Sequence, residues 1–249
     1  MLNEITKEIC EVQQKRASQI VGVKLVIVLL LGMLIITTSA PSWADDARDA
    51  RDIVTKAEIT AESFRLDPNL YPEWRGLLRE AKAVLIIPQI IKGGLIVGGS
   101  GGSGVLLARD KKSGNWNGPA FYTIGGVSFG LLAGAQVAET IIVVRTERGL
   151  NRLLNTGAKL GADLNITAGP VGAGVGVGNI TADLVVLSRS KGLYGGLSLE
   201  GSVVDVRDSL NMAYYGKSVT PTDILILGNV KNPDADGLIS AVKKLTGGK

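Results

Sequence analysis

Apolar positions in the first part of the chain's body recur at helical spacing. Ala47, Ala50, Val54, Ala57, Ala61 and Phe64 lie three or four residues apart within residues 45–64, which predicts a helix with one apolar stripe. Asp45 and Asp46 suit its N-terminus, and the Asp67-Pro68 step ends it. A second helix is predicted from near Pro72 through EWRGLLREAKA, burying Trp74, Leu77, Leu78 and Ala81 and placing Arg75, Arg79 and Lys82 on one basic face. From Val84 the period changes to short apolar runs broken by glycine, which read as strands at 84–87, 94–98, 104–109, 120–124, 127–137 and 140–145. DKKSGN (110–115) reads as a hairpin turn.

A helix is predicted at 146–157, with Thr146 as N-cap and Gly157 as C-cap. Strands resume at 162–168, 171–178, 182–188 and 195–204, and an amphipathic helix at 233–245 closes the chain. In GAGVGVG (172–178) glycine alternates with Ala or Val, so one face of that strand is bare backbone. Helices at both ends with consecutive strands between them predict an α+β fold. It comprises a helical part (45–83), a mainly β part (84–228) with one inserted helix, and the C-terminal helix, built around a glycine-rich antiparallel sheet or open barrel.

Composition narrows the chemistry. With 45% apolar but only 4% aromatic residues, the core must come from Val, Ile, Leu, Ala and Gly. The chain has no histidine, the commonest general base and metal ligand, and its only cysteine is Cys10. A disulfide framework, a thiolate zinc site and a cysteine nucleophile are therefore not expected in the body. The net charge of +4 suits contact with an anionic surface but not nucleic-acid binding.

Residues 25–36, LVIVLLLGMLII, follow Lys24, with Lys15 and Arg16 further back, and Thr37–Ala44 ends Ser42-Trp43-Ala44. That is the order of a secretory signal cleaved before Asp45. The run is shorter than the roughly 20 residues that span a bilayer, so cleavage is favoured over the alternative, an uncleaved anchor through residues 25–44. Either way the body is expected outside the cytoplasm.

Three catalytic patterns lack their context. Gly99–Gly104 satisfies G-x-G-x-x-G but is followed by a strand-like run rather than the helix that would bind a pyrophosphate. Gly126–Gly130 satisfies G-x-S-x-G, but no histidine exists to take the serine proton. Glu139, Asp163, Asp183, Glu200 and Asp205 are the remaining carboxylates that could act, and no spacing pairs any two of them.

The same residues form an ordered series that resembles the SYLF domain family. It runs through Ala81-Lys82-Ala83-Val84, Gly104-Val105-Leu106-Leu107, Pro119-Ala120-Phe121-Tyr122, Ser128-Phe129-Gly130 and Lys159-Leu160-Gly161-Ala162-Asp163. Its most distinctive stretch is Ser188 to Gly201, SRSKGLYGGLSLEG, and Ala213-Tyr214-Tyr215-Gly216 closes it. The resemblance covers the body from about residue 45 to 228 and implies binding without catalysis, cofactor or metal, through affinity for anionic phospholipid. Its members include yeast and animal actin- and lipid-binding proteins and exported bacterial proteins.

The expectation is an exported protein of the bacterial periplasm or cell envelope that binds an anionic phospholipid membrane. The alternative is an envelope module that binds a protein partner. The cationic candidates are Arg75, Arg79, Lys82, Lys92, Arg189 and Lys191. Arg189 and Lys191 read equally well as a strand end and turn whose charges pair with Glu200 or Asp183.

Overall fold

The computed structural model describes residues 43–69, 71–94, 97–129, 134–169, 181–192 and 199–248. The first helix, α1 (Trp43–Arg65), buries the stripe read from the sequence: Ala50, Val54, Ala57, Ala61 and Phe64 are each at most 2% exposed. After the turn at Asp67, α2 (Tyr71–Arg79) buries Trp74, Leu77 and Leu78, and the Trp74 ring packs 5.5 Å from that of Phe64.

Four long strands follow: β1 (Ala83–Gly94), β2 (Val97–Arg109), β3 (Trp116–Phe129) and β4 (Gly134–Val144). Then come α3 (Glu147–Leu153), β5 (Ala158–Lys159), β6 (Ile166–Ala168), β7 (Leu184–Gly192) and β8 (Val203–Val206). The chain ends with α4 (Asp208–Tyr215), α5 (Pro221–Leu225), a 3-10 turn at Pro233–Ala235 and α6 (Asp236–Leu245). One eight-stranded sheet results, in the order β5-β8-β3-β2-β1-β4-β7-β6. It is antiparallel except at one edge, where β6 runs parallel to β7. The α+β class and the glycine-rich sheet stand as expected.

Both faces of the sheet are covered at one end, which is why β1 opens with the unbroken buried run Ala83–Ile87. Val84, Ile86, Val105, Leu107, Phe121, Ile141 and Val143 pack under α1, α2, α4 and α6. Leu85, Ile87, Leu106, Tyr122, Ile142 and Val144 pack against Leu150 and Leu153 of α3 and Ile224 and Leu225 of α5. Pro88 has no N–H for a ladder rung, and it sits where the β1 register with both neighbours shifts, between Ile86 and Ile90.

Several boundaries differ from the sequence reading. The strands predicted at 94–98 and 127–137 each fall across two strands, β1 with β2 and β3 with β4, because these strands run on through glycines that read as breaks; residues 95–96 and 130–133 lie outside the described residues. The inserted helix ends at Leu153 with Leu154 as its C-cap, so Gly157 (φ 69°) serves the following turn instead. Residues 199–202, expected in a strand, form a turn before β8, and α4 and α5 were not foreseen. The strand predicted at 171–178, and residues 1–42, lie outside the described residues. Among the described residues no helix is long and apolar enough to cross a membrane.

Candidate functional site: an uncovered sheet face and its cleft

The helix-side face of the sheet is covered only in part. One ladder row across β3, β2, β1 and β4 reads Gly125, Gly101, Ile91 and Val137. The next row outward reads Val127, Gly99, Gly93 and Ala135. None of these eight residues is charged. Ile91, Val127 and Val137 are 53%, 67% and 41% exposed, and Ile59 of α1 adds another exposed aliphatic on this side of the molecule. Ile91, Val127 and Val137 thus gather exposed β-branched side chains on these two rows of β1 to β4, and the first row continues into β7 at Lys191.

The glycines differ by face. A Cβ at Gly102 or Gly104 would sit 2.4 Å from the Gln89 carbonyl oxygen or 2.3 Å from that of Ile86. At Gly126 it would sit 2.6 Å from Ser202 Oγ. These three point to the other face, where close packing excludes a side chain. On the uncovered face the nearest atoms to a Cβ at Gly99, Gly101 and Gly125 are 4.0, 3.8 and 3.9 Å away, which is ordinary contact. Nothing among the described residues requires glycine at these three positions.

Where α1 ends and the uncovered face begins, a cleft of about 580 Å³ opens between α1 and strands β1, β4 and β7. Its α1 wall carries Lys56, Ile59 and Ser63, and its β4 wall carries Val137 and Glu139. Arg189 of β7 forms the base. The Arg189 guanidinium donates to Glu139 Oε2, to Ser63 Oγ at 2.6 Å and to Asp67 Oδ2 at 3.5 Å, and stacks 4.4 Å from the centroid of Phe64. This fork ties the C-terminal turn of α1 to β4 and β7. Replacing Arg189 with Met is expected to destabilise the fold by about 2–3 kcal/mol, with Lys giving little rescue because one ammonium cannot reproduce the fork. Chemical denaturation of the two variants measures this.

The six cationic candidates do not converge. Arg75 and Arg79 are exposed on α2, and Lys82 lies 3.9 Å from Glu147. Lys92 lies at the far end of β1, roughly 30 Å from Lys82 at the usual strand rise, level with Ser100 and Gln136. Arg189 is paired, but with Glu139 and Asp67 rather than Glu200 or Asp183. Lys191 has its backbone opposite Val137, and its side chain lies outside the description. Lys56, Ile59, Ile91, Val127 and Val137 were not singled out from sequence. For the strand residues the alternation that would expose them is interrupted by glycine and, in β1, by the bulge at Pro88; Lys56 and Ile59 lie on the flank of α1 beside its buried stripe.

Four of the five remaining carboxylates have structural partners. Asp183 accepts from Arg148, from Thr146 Oγ1 at 2.6 Å and from the Asn165 amide at 3.1 Å, and the Arg148 hydrogen bond in particular holds its carboxyl below the usual range. Asp163 pairs with Arg152 at 2.7 Å, Asp205 accepts from the Gly157 amide at 2.9 Å, and Glu139 holds Arg189. Burial pushes the Tyr122 and Tyr215 phenols up, so both are neutral donors, to the carbonyls of Leu153 and Pro119. The Gly99–Gly104 pattern lies inside β2, with no helix after it.

Comparison with known proteins agrees with this assembly of parts. The family model described as Ysc84, Las17-binding protein actin regulator, matches residues 125–245. Protein YSC84 of Saccharomyces cerevisiae is 31% identical over 166 residues, covering 64% of this chain and 35% of that protein. LAS seventeen-binding protein 3 of the same species is 31% identical over 201 residues, 78% of this chain and 42% of its own length. SH3 domain-containing YSC84-like protein 1 of Bos taurus is 31% identical over 176 residues, 68% of this chain and 50% of its own length. The chain thus spans at most about half of these curated relatives, and no solved structure matches it. It belongs to the SYLF (Ysc84) domain family.

Proposed function

We propose that this chain is a non-catalytic binding protein that docks on anionic phospholipid membrane in a bacterial cell envelope, where the segment before residue 45 delivers it. The observation that carries this reading is the charge-free, exposed end of the sheet formed by β1 to β4. The apolar stripe of α1 cannot supply the contact, because it is already in the core; only Ile59 of that helix stands exposed on this side. Ile59, Ile91, Val127 and Val137 supply apolar area worth about 25 cal/mol per Å² buried. Lys56 stands beside Ile59 and Val137, and a lysine near an anionic surface adds about 1 kcal/mol; Lys92 alternates with Ile91 and belongs to the other face of β1.

A second reading is supported by the names of the relatives, which describe binding to another protein, Las17. In that reading the same bare face docks a protein of the envelope.

Co-sedimentation of the protein with phosphatidylglycerol-containing vesicles separates the possibilities. Binding is expected to rise with anionic lipid and fall with salt. The double variant Ile91→Asp, Val127→Asp is expected to weaken it at least about tenfold, since an aspartate is expensive at an apolar interface. Both positions are exposed, so its melting temperature should match the wild type. Reversing Arg75 and Arg79 to Glu, at the other end of β1, should change binding less. Unimpaired binding by the double variant, or loss only on reversal at α2, would sink this assignment of the face.

A further inference from the structure

We infer that the cleft between α1 and β4 holds the headgroup of a single zwitterionic, amine-bearing phospholipid whose acyl chains leave along the uncovered sheet face. The inference rests on the membrane reading above and adds a headgroup site to it.

The two walls have matching chemistry. On α1, Lys56 and Ile59 are three residues apart and both line the cleft; on β4, Glu139 and Val137 are two apart and both line it. Each wall thus contributes one charge and one branched aliphatic, and the charges are opposite. Lys56 is exposed and has no ion pair among the described residues. Glu139 gives only Oε2 to Arg189; its Oε1 has no partner among the described residues, and the side chain is 41% exposed.

A phosphate can therefore be met by the Lys56 ammonium and a primary amine by Glu139 Oε1. The Ser63 hydroxyl at the base, which accepts from Arg189, has its own proton to donate. The charged residues lining the cleft are Lys56, Arg189 and Glu139, and Asp67, which pairs with Arg189 from outside the lining, offsets the second cation. Such a site favours a headgroup whose ammonium can meet Glu139 over a glycerol headgroup, which brings the same phosphate charge but no cation for the Glu139 carboxylate. The volume of about 580 Å³ falls within the range of small-molecule sites.

The cleft opens onto the apolar rows. Val137 belongs both to its β4 wall and to the row Gly125, Gly101, Ile91, Val137. The open positions at Gly99, Gly101 and Gly125 leave a flat floor on which alkyl chains can lie against backbone. This gives a use to glycines that the fold itself does not demand.

The test is calorimetric titration of the full-length protein with dihexanoyl phosphatidylethanolamine and dihexanoyl phosphatidylglycerol, both kept monomeric. Inorganic phosphate and ethanolamine alone serve as the other arms. The wild type should bind the amine lipid in preference to the glycerol lipid and neither fragment saturably. Glu139→Gln should reduce affinity for the amine lipid about tenfold, as expected for a lost charged hydrogen bond, with little effect on the glycerol lipid. Lys56→Gln should weaken both lipids.

Because Glu139 also holds Arg189, melting curves accompany each variant, and Lys56→Gln tests the site without touching that pair. Equal affinity of the wild type for both lipids, unchanged affinity in Lys56→Gln, or saturable binding of phosphate alone would overturn the headgroup site. Vesicle binding with no uptake of monomeric lipid would overturn it while leaving the membrane reading standing. Failure of both assays would remove both.

Discussion

Gly104→Ala is expected to destabilise the fold by about 3 kcal/mol or more, while Gly101→Ala, three residues earlier in the same strand, should stabilise it by about 0.5 kcal/mol. The difference follows from the face each position presents. A Cβ at Gly104 would lie 2.3 Å from the Ile86 carbonyl oxygen and 3.0 Å from its carbonyl carbon. Those are backbone atoms of the β1 bulge and cannot move aside without disturbing the ladders that β1 forms with β2 and β4. A Cβ at Gly101 meets only the Ile124 carbonyl oxygen, at 3.8 Å. There alanine simply removes conformational freedom from the unfolded chain. Guanidinium denaturation of both variants measures the pair; similar losses at both positions would mean that the outer face is packed after all.

Asp183→Asn is expected to destabilise the fold by about 2–3 kcal/mol at neutral pH. Asp183 is only 4% exposed, and its carboxylate ties Thr146 and Arg148 at the start of α3 and the Asn165 amide before β6 to the chain that enters β7 at the next residue. Because hydrogen bonding from Arg148 leads the lowering of its native pKa, the contribution of Asp183 is fully present above the unfolded value of about 3.9. It is lost as pH falls through the depressed native value. The wild-type advantage over Asp183→Asn should therefore be constant from neutral pH down to about 5 and shrink steadily below about 4. Denaturation midpoints measured across that range check it; an advantage that persisted unchanged at low pH would mean that the ionised carboxylate is not the source.

The helices with clean apolar spacing were legible. Ala50, Val54, Ala57, Ala61 and Phe64 mark α1, and Thr146 caps α3 through the Gly149 amide at 2.9 Å. The extent of the strands was not legible. Glycine in sequence reads as a break, yet Gly98 to Ser103 pair in register on both sides of β2. The helix α4 follows a strand directly, and its N-cap, Arg207, makes no side-chain cap, so it carried no start signal. The helix α5 did carry one, a capping box from Thr220 to Asp223 with Pro221 inside it, and that signal went unread.

At the site, Arg189 stood out in sequence, but its partners Glu139, Asp67 and Ser63 lie 50, 122 and 126 residues away, and only the fold brings them together. The exposure of Ile91 depends on the bulge at Pro88. That bulge shifts the phase of β1, so that Ile90 faces the core and Ile91 faces out. Composition gives no access to that phase. It did show, through the absence of histidine, that the familiar triads and zinc sites were not to be looked for.

The most direct test of the account is the depth at which the sheet end meets a bilayer. An environment-sensitive dye is attached at Val127→Cys, and separately at Lys217→Cys as a control, in a Cys10→Ser background. Each protein is then mixed with phosphatidylglycerol-containing vesicles whose acyl chains carry quenchers. The account predicts a blue shift and strong acyl-chain quenching for the dye at 127 and neither for the dye at 217. Vesicle binding in which the dye at 127 remains in water would contradict it.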